Sequence, residues 1–407
     1  MKPNEHDDVE EHLPKKGWLG LWMKFTGNLE ICPRFRFFSA CSAVGAAVNN
    51  KVWIQRGDEG LLPKLFPNPW VMLLAPPGRG HKTTAINMAV NCLTEACDDV
   101  RILADKLTPE YLVKALSSPS TPKEMIRIGP RDATGLIKAS ELSVFFGKQT
   151  YNVGLVSLVT DLYDYREKWS GGTIGRGGET LRRNCISILG GSTPEWLQQM
   201  LPQDAFTGGF MSRFIIVEMP STYFKKITHP KRPKDVEWKD LVQGLAEFNA
   251  FEGIMKWGNG SEVAYDKCYE DVLPTGDAQR DAYREREAEQ ILKLSMLLAL
   301  NEERMAITGT DVKQAANLTN SLQLETNPRI DRLTTHPRMQ LTQDIQDILK
   351  VKEVMSEQDL LKKVYKSLSQ GEKQFYEALS VLRRTGIIEV VGKVPNHGYK
   401  LRKEVKL

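Results

Sequence analysis

The chain has 407 residues, of which 41% are hydrophobic and 26% charged, and its formal net charge is +4. This length exceeds the roughly 100–200 residues of one domain, and the composition is globular, so wholesale disorder, a collagen-like repeat and a small disulfide scaffold are excluded. The apolar runs fall short of the roughly 20 residues that span a bilayer, and the acidic start does not resemble a signal peptide. We therefore expect a cytosolic protein without a membrane partner.

The spacing of the cysteines and the distribution of charge further limit the kinds of protein that fit this sequence. The six cysteines form no Cys-x-x-Cys pair and have no neighbouring histidine cluster, which disfavours a zinc site or a disulfide framework. Residues 341–407 hold 13 Lys and Arg against 9 Asp and Glu, whereas residues 1–340 are balanced at 42 against 42. An excess this small supports nucleic-acid binding only when a fold argument accompanies it.

Residues 1–60 predict a polar lead followed by a helical part. Apolar residues recur at three- and four-residue steps over residues 34–49, which predicts a helix with an apolar face. A strand candidate follows at Val52 to Gln55.

Residues 61–236 predict an α/β domain. The uninterrupted apolar run from Trp70 to Ala75 is typical of a buried parallel strand, and Thr83 to Ala96 has helical spacing. Further strand candidates at residues 100–104, 135–139 and 185–189 alternate with helices. This alternation indicates a mostly parallel sheet.

Pro, Lys and Thr crowd together between Pro220 and Glu237, and we expect a domain boundary there. Helical periodicity then predicts an α-helical lid over residues 237–335, with Thr310 as the N-cap of its last helix. Residues 336–407 predict three helices and two short strands. That order is the order of a winged-helix domain.

The strongest motif is Ala75-Pro-Pro-Gly-Arg-Gly-His-Lys-Thr-Thr84, between a buried strand and a helix. Glycines let backbone N–H groups close around phosphate oxygens, and the helix N-terminus adds the positive end of its dipole. We expect Lys82 to reach the β- and γ-phosphates of ATP and Thr83 to place its hydroxyl on Mg²⁺. The residues expected to bind the nucleotide are Pro77, Gly78, Arg79, Gly80, His81, Lys82, Thr83 and Thr84.

This motif departs from G-x-x-x-x-G-K-[ST]. Counted back from Lys82, Pro76 occupies the first glycine position and His81 the second. The alternative is an ordinary strand-to-helix turn that carries a surface lysine.

Polar residues follow two other strand candidates. Glu141 is the candidate for polarising water or holding the metal, although Ser140 stands where a metal-binding Asp is usual; a helix-initiating glutamate is the alternative. Ser192 and Thr193 are candidates to contact the γ-phosphate or the attacking water. Either of them can instead cap the following helix.

Gly208-Gly-Phe-Met-Ser-Arg-Phe214 leads into the apolar strand Ile215 to Glu218. An arginine fixed at the start of a strand can reach a neighbouring subunit's nucleotide and stabilise charge in the transition state. On its own, Arg213 fits a structural ion pair better.

The order of these parts resembles AAA+ ATPases of the MCM-like helicase branch. More closely, residues 68–90, 136–142, 189–196 and 209–214 look like the helicase-like ATPase half of phage and mobile-element primase–helicase proteins, over roughly residues 30–330. The resemblance implies an α/β fold with a P-loop AAA+ parallel sheet, a helical N-terminal part, an α-helical lid and a winged helix.

The resemblance also implies roles and partners. Arg213 would be a finger that acts in trans, and Arg284 or Arg286 a second phosphate sensor; a solvated helix face is the alternative for these two. The implied assembly is a homo-oligomeric ring, a hexamer, in a bacterial host cytosol. It would use ATP to translocate on or unwind single-stranded or forked DNA during replication of a phage or mobile element. A separate primase is a candidate partner, because the chain shows no primase motif.

Five glycines crowd into Lys168 to Thr180, and the pattern around them predicts a hairpin. The resemblance implies that this insert points into the ring channel, where positive charges track a nucleic-acid backbone. A purely structural hairpin is the alternative. The residues expected to contact DNA are Lys168, Arg176, Arg182 and Arg183, with Arg176 at the tip.

Two rival functions stay open at this point. One is a DNA-binding or helicase-loader assembly that forms on ATP but turns over little. The other is a winged-helix regulator with a vestigial ATPase domain. ATP turnover stimulated by DNA would separate the translocase or helicase from both rivals.

Overall fold

The structure is a computed structural model that describes residues 8–117, 131–146, 153–173, 177–200, 209–220, 223–270, 278–334, 337–351, 354–365, 368, 372–392 and 398–402. The chain divides into two compact units, and the division falls between residues 327 and 328. The three parts that we distinguished as residues 1–60, 61–236 and 237–335 fall almost entirely within the first unit, and the fourth within the second.

The first unit begins with helices that form much of its core. They are α1 (Asp8–Glu11), α2 (Gly17–Phe25) and α3 (Pro33–Val48). α3 confirms the predicted helix to within one residue and is buried along its whole length. Its apolar residues pack against the sheet described next, so it forms a layer of the core.

A five-stranded parallel sheet lies at the centre of this unit, and the short strand β1 (Val52–Ile54) precedes it in the chain. The five strands are β2 (Trp70–Leu74), β3 (Ile102–Ala104), β4 (Thr134–Ala139), β7 (Cys185–Ser192) and β8 (Phe214–Glu218). Their order in the sheet is β3-β4-β7-β2-β8. Its helices are α4 (Lys82–Ala96), α5 (Pro109–Leu116), α6 (Leu142–Phe146), α7 (Val153–Asp161) and α8 (Pro194–Met200). The expected α/β class and parallel sheet are therefore confirmed.

The glycine-rich insert forms an antiparallel pair, β5 (Lys168–Thr173) and β6 (Gly177–Arg182). The predicted hairpin is thus present in the described residues on both sides of its tip. The hairpin lies at the amino ends of the sheet strands, because the chain leaves β6 and begins β7 at Cys185.

The predicted lid is not wholly helical. It contains α9 (Trp238–Phe248), β9 (Gly253–Trp257), α10 (Ser261–Glu270), α11 (Ala278–Asn301), β10 (Ala306–Ile307) and α12 (Gly309–Thr334). β9 pairs in parallel with β1 and β10, which ties this region to the N-terminal part. Both strands are short, and only Met255 of β9 is fully buried, so neither has an apolar run that periodicity can detect.

The start of α12 also differs from the prediction. The side chain of Thr308 accepts a hydrogen bond from the backbone N–H of Asp311 at 3.4 Å, and the Asp311 carboxylate accepts one from the N–H of Thr308 at 2.7 Å. This reciprocal cap makes Thr308, not Thr310, the N-cap.

The second unit contains α13 (Pro337–Val351), β11 (Met355–Ser356), α14 (Glu357–Val364), α15 (Glu372–Arg384), β12 (Ile388–Val391) and β13 (Gly398–Leu401). The strands form a small antiparallel sheet in the order β11-β13-β12. Ile345, Phe375 and Leu379 are buried in the core of this unit. Among the described residues of the whole chain, no helix is long and apolar enough to cross a membrane.

Candidate functional site

The segment between β2 and α4 is a tight loop at the carboxyl end of β2, an inner strand of the sheet. Gly78 and Gly80 have φ angles of 69° and 70°, in the left-handed region that favours glycine, and His81 also has a positive φ of 54°. A Cβ at Gly80 would lie 2.7 Å from a ring carbon of Phe35, so only glycine fits there. The exposed stretch before it consists of Pro76, Pro77, Gly78 and Arg79.

Lys82 opens α4 and folds back over the loop. Its ammonium donates to the carbonyl oxygens of Ala75, at 2.8 Å, and Pro76, at 3.4 Å, and the residue is only 5% exposed. Burial lowers the pKa of Lys82, while the carboxylates of Glu141 and Glu195 act in the opposite direction. The site therefore holds a buried positive charge whose hydrogen-bond acceptors are neutral carbonyls.

The first turn of α4 suits a negatively charged ligand. Thr83 and Thr84 are exposed there, and the turn contains no acidic residue. The N–H groups of a helix N-terminus and the positive end of its dipole both favour an anion.

The neighbouring strand end lies close to Lys82. A Cβ on Gly191 would sit 3.7 Å from the Cβ of Lys82 and 2.9 Å from the carbonyl oxygen of Ser140. Ser192 is the last residue of β7 and is buried, and its carbonyl accepts a hydrogen bond from the N–H of Ala75 at 3.4 Å. The structure thus brings the predicted residues Lys82, Ser192 and Glu141 to one edge of the sheet.

Thr193 adopts the alternative role. Its hydroxyl accepts a hydrogen bond from the N–H of Trp196 at 3.3 Å, which caps α8. Glu195, in the first turn of that helix, is exposed and is one of the two acids that act on Lys82.

Two acidic residues at this edge were not predicted from the sequence. Glu195 is the first. Asp105 is the second: it follows β3, and its carboxylate accepts a hydrogen bond from the N–H of Ser140 at 3.3 Å. The sequence offered a signal for Asp105, because an acidic residue directly follows a strand candidate there. It offered no such signal for Glu195.

The residues at this edge fit ATP with Mg²⁺. The glycine cradle at Gly80 and the ammonium of Lys82 suit phosphate oxygens, and Thr83, Glu141 and Asp105 supply oxygen donors. Within the described part of the chain, no group of three or more His, Cys, Asp or Glu side chains is placed to hold a metal ion. Mg²⁺ that is bound with a nucleotide needs only one or two protein ligands beside phosphates and water.

Arg213 lies at the opposite edge of the sheet. Phe214 pairs with Trp70 at the start of β2, whereas the loop follows Leu74 at its end. The Arg213 guanidinium donates to the carbonyl of Gly209 at 2.6 Å and lies 3.5 Å from Asp164.

Arg286, from α11, joins Arg213 at the same place. Its guanidinium lies 3.7 Å from the Asp164 carboxylate and 3.3 Å from Glu289. Lys293, one turn beyond Glu289, has its ammonium 3.6 Å from that carboxylate. We call the group formed by Tyr163, Asp164, Arg213, Arg286, Glu289 and Lys293 the Tyr163 cluster.

The ring of Tyr163 lies at the centre of this cluster. Among the described residues, three cations face it, at 4.1 Å for Lys293, 5.2 Å for Arg213 and 5.6 Å for Arg286. Burial lowers the pKa of Arg213, and the nearby charge of Arg286 acts in the same direction. The structure therefore places Arg286 beside Arg213 and away from Lys82 of the same chain. Arg284 precedes it on α11 and is partly buried.

The described hairpin residues that we expect to contact DNA differ from one another in their ion pairing. Lys168 and Arg182 face each other in the register of β5 and β6, and both are exposed. Arg183 donates to Asp132 at 2.9 Å, and this bond raises its pKa, so it is held in an ion pair at the base of the hairpin. Arg176 lies outside the described residues.

No protein-family model matches the chain, and no curated protein shows significant similarity to it. Its function is therefore inferred from its residues and their arrangement.

Proposed function

We propose that the chain is an ATP hydrolase that acts as a subunit of a ring and translocates on or unwinds DNA during replication of a phage or mobile element. One observation carries the proposal. Lys82 is buried against neutral carbonyls in a glycine loop between β2 and α4, and the carboxylates of Glu141 and Glu195 raise its pKa. An ammonium that is buried with no carboxylate bonded to it among the described residues suits an anionic ligand, which would bring the missing negative charge.

The phosphates of ATP would lie against the loop and the first turn of α4. Lys82 would contact the β- and γ-phosphates, and Thr83 would hold Mg²⁺, which neutralises charge that develops on the phosphates. Glu141 would orient the attacking water. Ser192, at the neighbouring strand end, would contact the γ-phosphate or that water.

The sheet geometry supports a site shared between subunits. Phe214 and the loop are separated by the length of β2, from Trp70 to Leu74. At about 3.3 Å per residue, four steps along a strand span about 13 Å. Because Arg213 and Arg286 lie at the far edge, they would serve the nucleotide of a neighbouring subunit, which a ring supplies.

The finer fold assignment belongs to the same proposal. The loop-bearing strand β2 lies between β8 and the central strand β7, which ends at Ser192, and β4, which precedes Glu141, lies on the other side of β7. This arrangement supports an AAA+ core. The order of α13, β11, α14, α15, β12 and β13 supports a winged helix that binds DNA.

A loader assembly with slow turnover is the second candidate. Two observations favour it: Arg213 is held by Asp164 and by the carbonyl of Gly209, and Thr193 is used as a helix cap. Either assembly would act in the cytosol of a bacterial host, with a separate primase as a candidate partner of the helicase.

Lys82→Ala tests the proposal. ATP hydrolysis, measured with and without single-stranded DNA, should be abolished, because Lys82 is the cation placed to neutralise the β- and γ-phosphates. Lys106→Ala is the matched control, since this exposed lysine follows β3 at the same edge. Melting curves establish that both variants fold. Hydrolysis by folded Lys82→Ala at the wild-type rate would refute the loop as the ATP site; turnover that DNA never stimulates would favour the loader.

A further inference from the structure

Residues 223–236 carry a concentration of positive charge that the proposed function does not use. The segment holds five cations and one acid, Asp235, a net of +4 that equals the excess of the whole chain. Asp235 is itself paired with Lys24. The cations are Lys225, Lys226, Lys231, Arg232 and Lys234.

Hydrogen bonds to the backbone fasten this segment against the residues between α2 and α3. The side chain of Asn28 donates to the carbonyl of Lys231 at 3.0 Å, and the N–H of Ile227 donates to the Glu30 carboxylate. Pro230 and Pro233 further restrict the chain. The backbone is thus held in place, while the side chains of the cations are exposed to solvent.

An exposed aromatic ring accompanies these charges. Phe224 is 74% exposed, and the ammonium of Lys226 lies 5.8 Å from its ring centroid. Cations beside an accessible aromatic ring are the combination that binds the phosphates and bases of single strands. A membrane surface would require a broader apolar face, which an extended segment with one exposed phenylalanine lacks.

We propose that residues 223–236 bind single-stranded nucleic acid, with phosphates on Lys226, Arg232 and Lys234 and a base stacked on Phe224. This contact is separate from the hairpin, which joins the sheet at its amino edge.

The segment adjoins the phosphate loop at the carboxyl edge. The Arg79 guanidinium donates to the carbonyl of Tyr223 at 3.3 Å, and Glu30 contacts both Ile227 and the His81 ring, the latter at 3.2 Å. A strand bound here would therefore lie beside the loop. The binding itself requires neither ATP hydrolysis nor ring formation, so it does not depend on the proposed function.

The test measures anisotropy of labelled oligo-dT and oligo-U of equal length, without nucleotide, over a series of KCl concentrations. The triple variant Lys226→Gln, Arg232→Gln, Lys234→Gln should flatten the dependence of log affinity on log salt by about two units, since each lost contact removes about 0.7. Phe224→Ala should weaken binding on the order of ten-fold, and Phe224→Tyr should retain it. The DNA and RNA arms distinguish the two kinds of strand.

A second triple variant, Lys114→Gln, Lys267→Gln, Lys313→Gln, is the control, because it removes three exposed positive charges from helices elsewhere in the first unit. Its salt dependence should match that of the wild type. Equal slopes for both triple variants, or an unchanged affinity with Phe224→Ala, would overturn the proposal. Binding of phosphatidylserine vesicles that only the first triple variant loses, with oligonucleotide binding intact, would also overturn it. A protein that hydrolyses no ATP but shows the expected slopes would support this site while refuting the ATPase.

Discussion

Each of the two edges of the central sheet contains a buried lysine, but the groups that contact the lysine ammonium differ between the edges. At the carboxyl edge, Lys82 bonds to the carbonyls of Ala75 and Pro76. At the amino edge, Lys293 lies 3.6 Å from the carboxylate of Glu289 and contacts the side-chain oxygen of Asn68 at 3.1 Å. Burial lowers the pKa of both lysines.

This difference separates a site that is prepared for a ligand from a packed ionic cluster. A buried charge is costly unless an opposite charge accompanies it. The Tyr163 cluster contains carboxylates that pair with its positive charges, whereas at the loop a bound anion would balance the charge of Lys82. Arg213 has two roles in this contrast. The structure places it in the Tyr163 cluster, whereas the proposed function assigns it to the nucleotide of a neighbouring subunit.

Arg213→Ala is the strongest test of this contrast. Turnover should fall by about 10³ or more with ATP affinity nearly intact, as for a finger supplied in trans. Mixing Arg213→Ala with Lys82→Ala protein should restore part of the turnover, since some interfaces then carry both wild-type halves. The measurement is ATP hydrolysis and nucleotide binding for each variant and for their mixtures.

Arg166→Ala is the control for that experiment, because Arg166 forms a more exposed ion pair with Asp161 near the same cluster. It should hydrolyse ATP at the wild-type rate. If mixed rings form and no turnover returns, Arg213 is a structural member of the Tyr163 cluster and the shared site is refuted.

Lys→Met substitutions at the two edges should differ in their effect on the free energy of unfolding. Lys293→Met leaves Glu289 buried with less positive charge around it, and removing one partner of a buried ion pair costs about 3–5 kcal/mol. Lys82→Met removes a desolvated charge whose hydrogen-bond partners, in the part of the chain that the structure describes, are carbonyls, so we expect a change below about 1 kcal/mol. Urea denaturation measures both. Equal losses of unfolding free energy would show that the charge of Lys82 is balanced within the protein, as that of Lys293 is.

The elements that the sequence predicted correctly are those with a local signal. β2 is a continuous apolar run, and α3 and α4 have regular helical spacing. β9 and β10 were missed because each is stabilised by pairing with distant residues, β9 with Val52 to Ile54 and β10 with β9 itself. Such pairing leaves little trace in a short window of sequence.

The candidate site divides in the same way. Lys82 and its loop were predicted from adjacent residues, whereas the proximity of Glu195 depends on β7 lying beside β2. The association of Arg213 with Arg286 depends on Asp164, so it requires three segments that are far apart in the chain. Side-chain partners of this kind follow from the tertiary fold and not from the spacing of motifs.

A smaller loss of stability than that of Lys293→Met is expected at Thr193, at the carboxyl edge. Its hydroxyl accepts from the N–H of Trp196, so Thr193→Ala should lower the free energy of unfolding by about 1 kcal/mol, the usual cost of a lost N-cap. Turnover per folded molecule should stay at the wild-type value, because the hydroxyl is already engaged by α8. Ser192→Ala is the matched variant: it removes a hydroxyl one residue earlier, at the strand end beside Lys82, and should lower turnover more than stability. Urea denaturation and ATP hydrolysis of both proteins check this. If Thr193→Ala loses turnover without losing stability, Thr193 contacts the nucleotide, and the cap is not its main role.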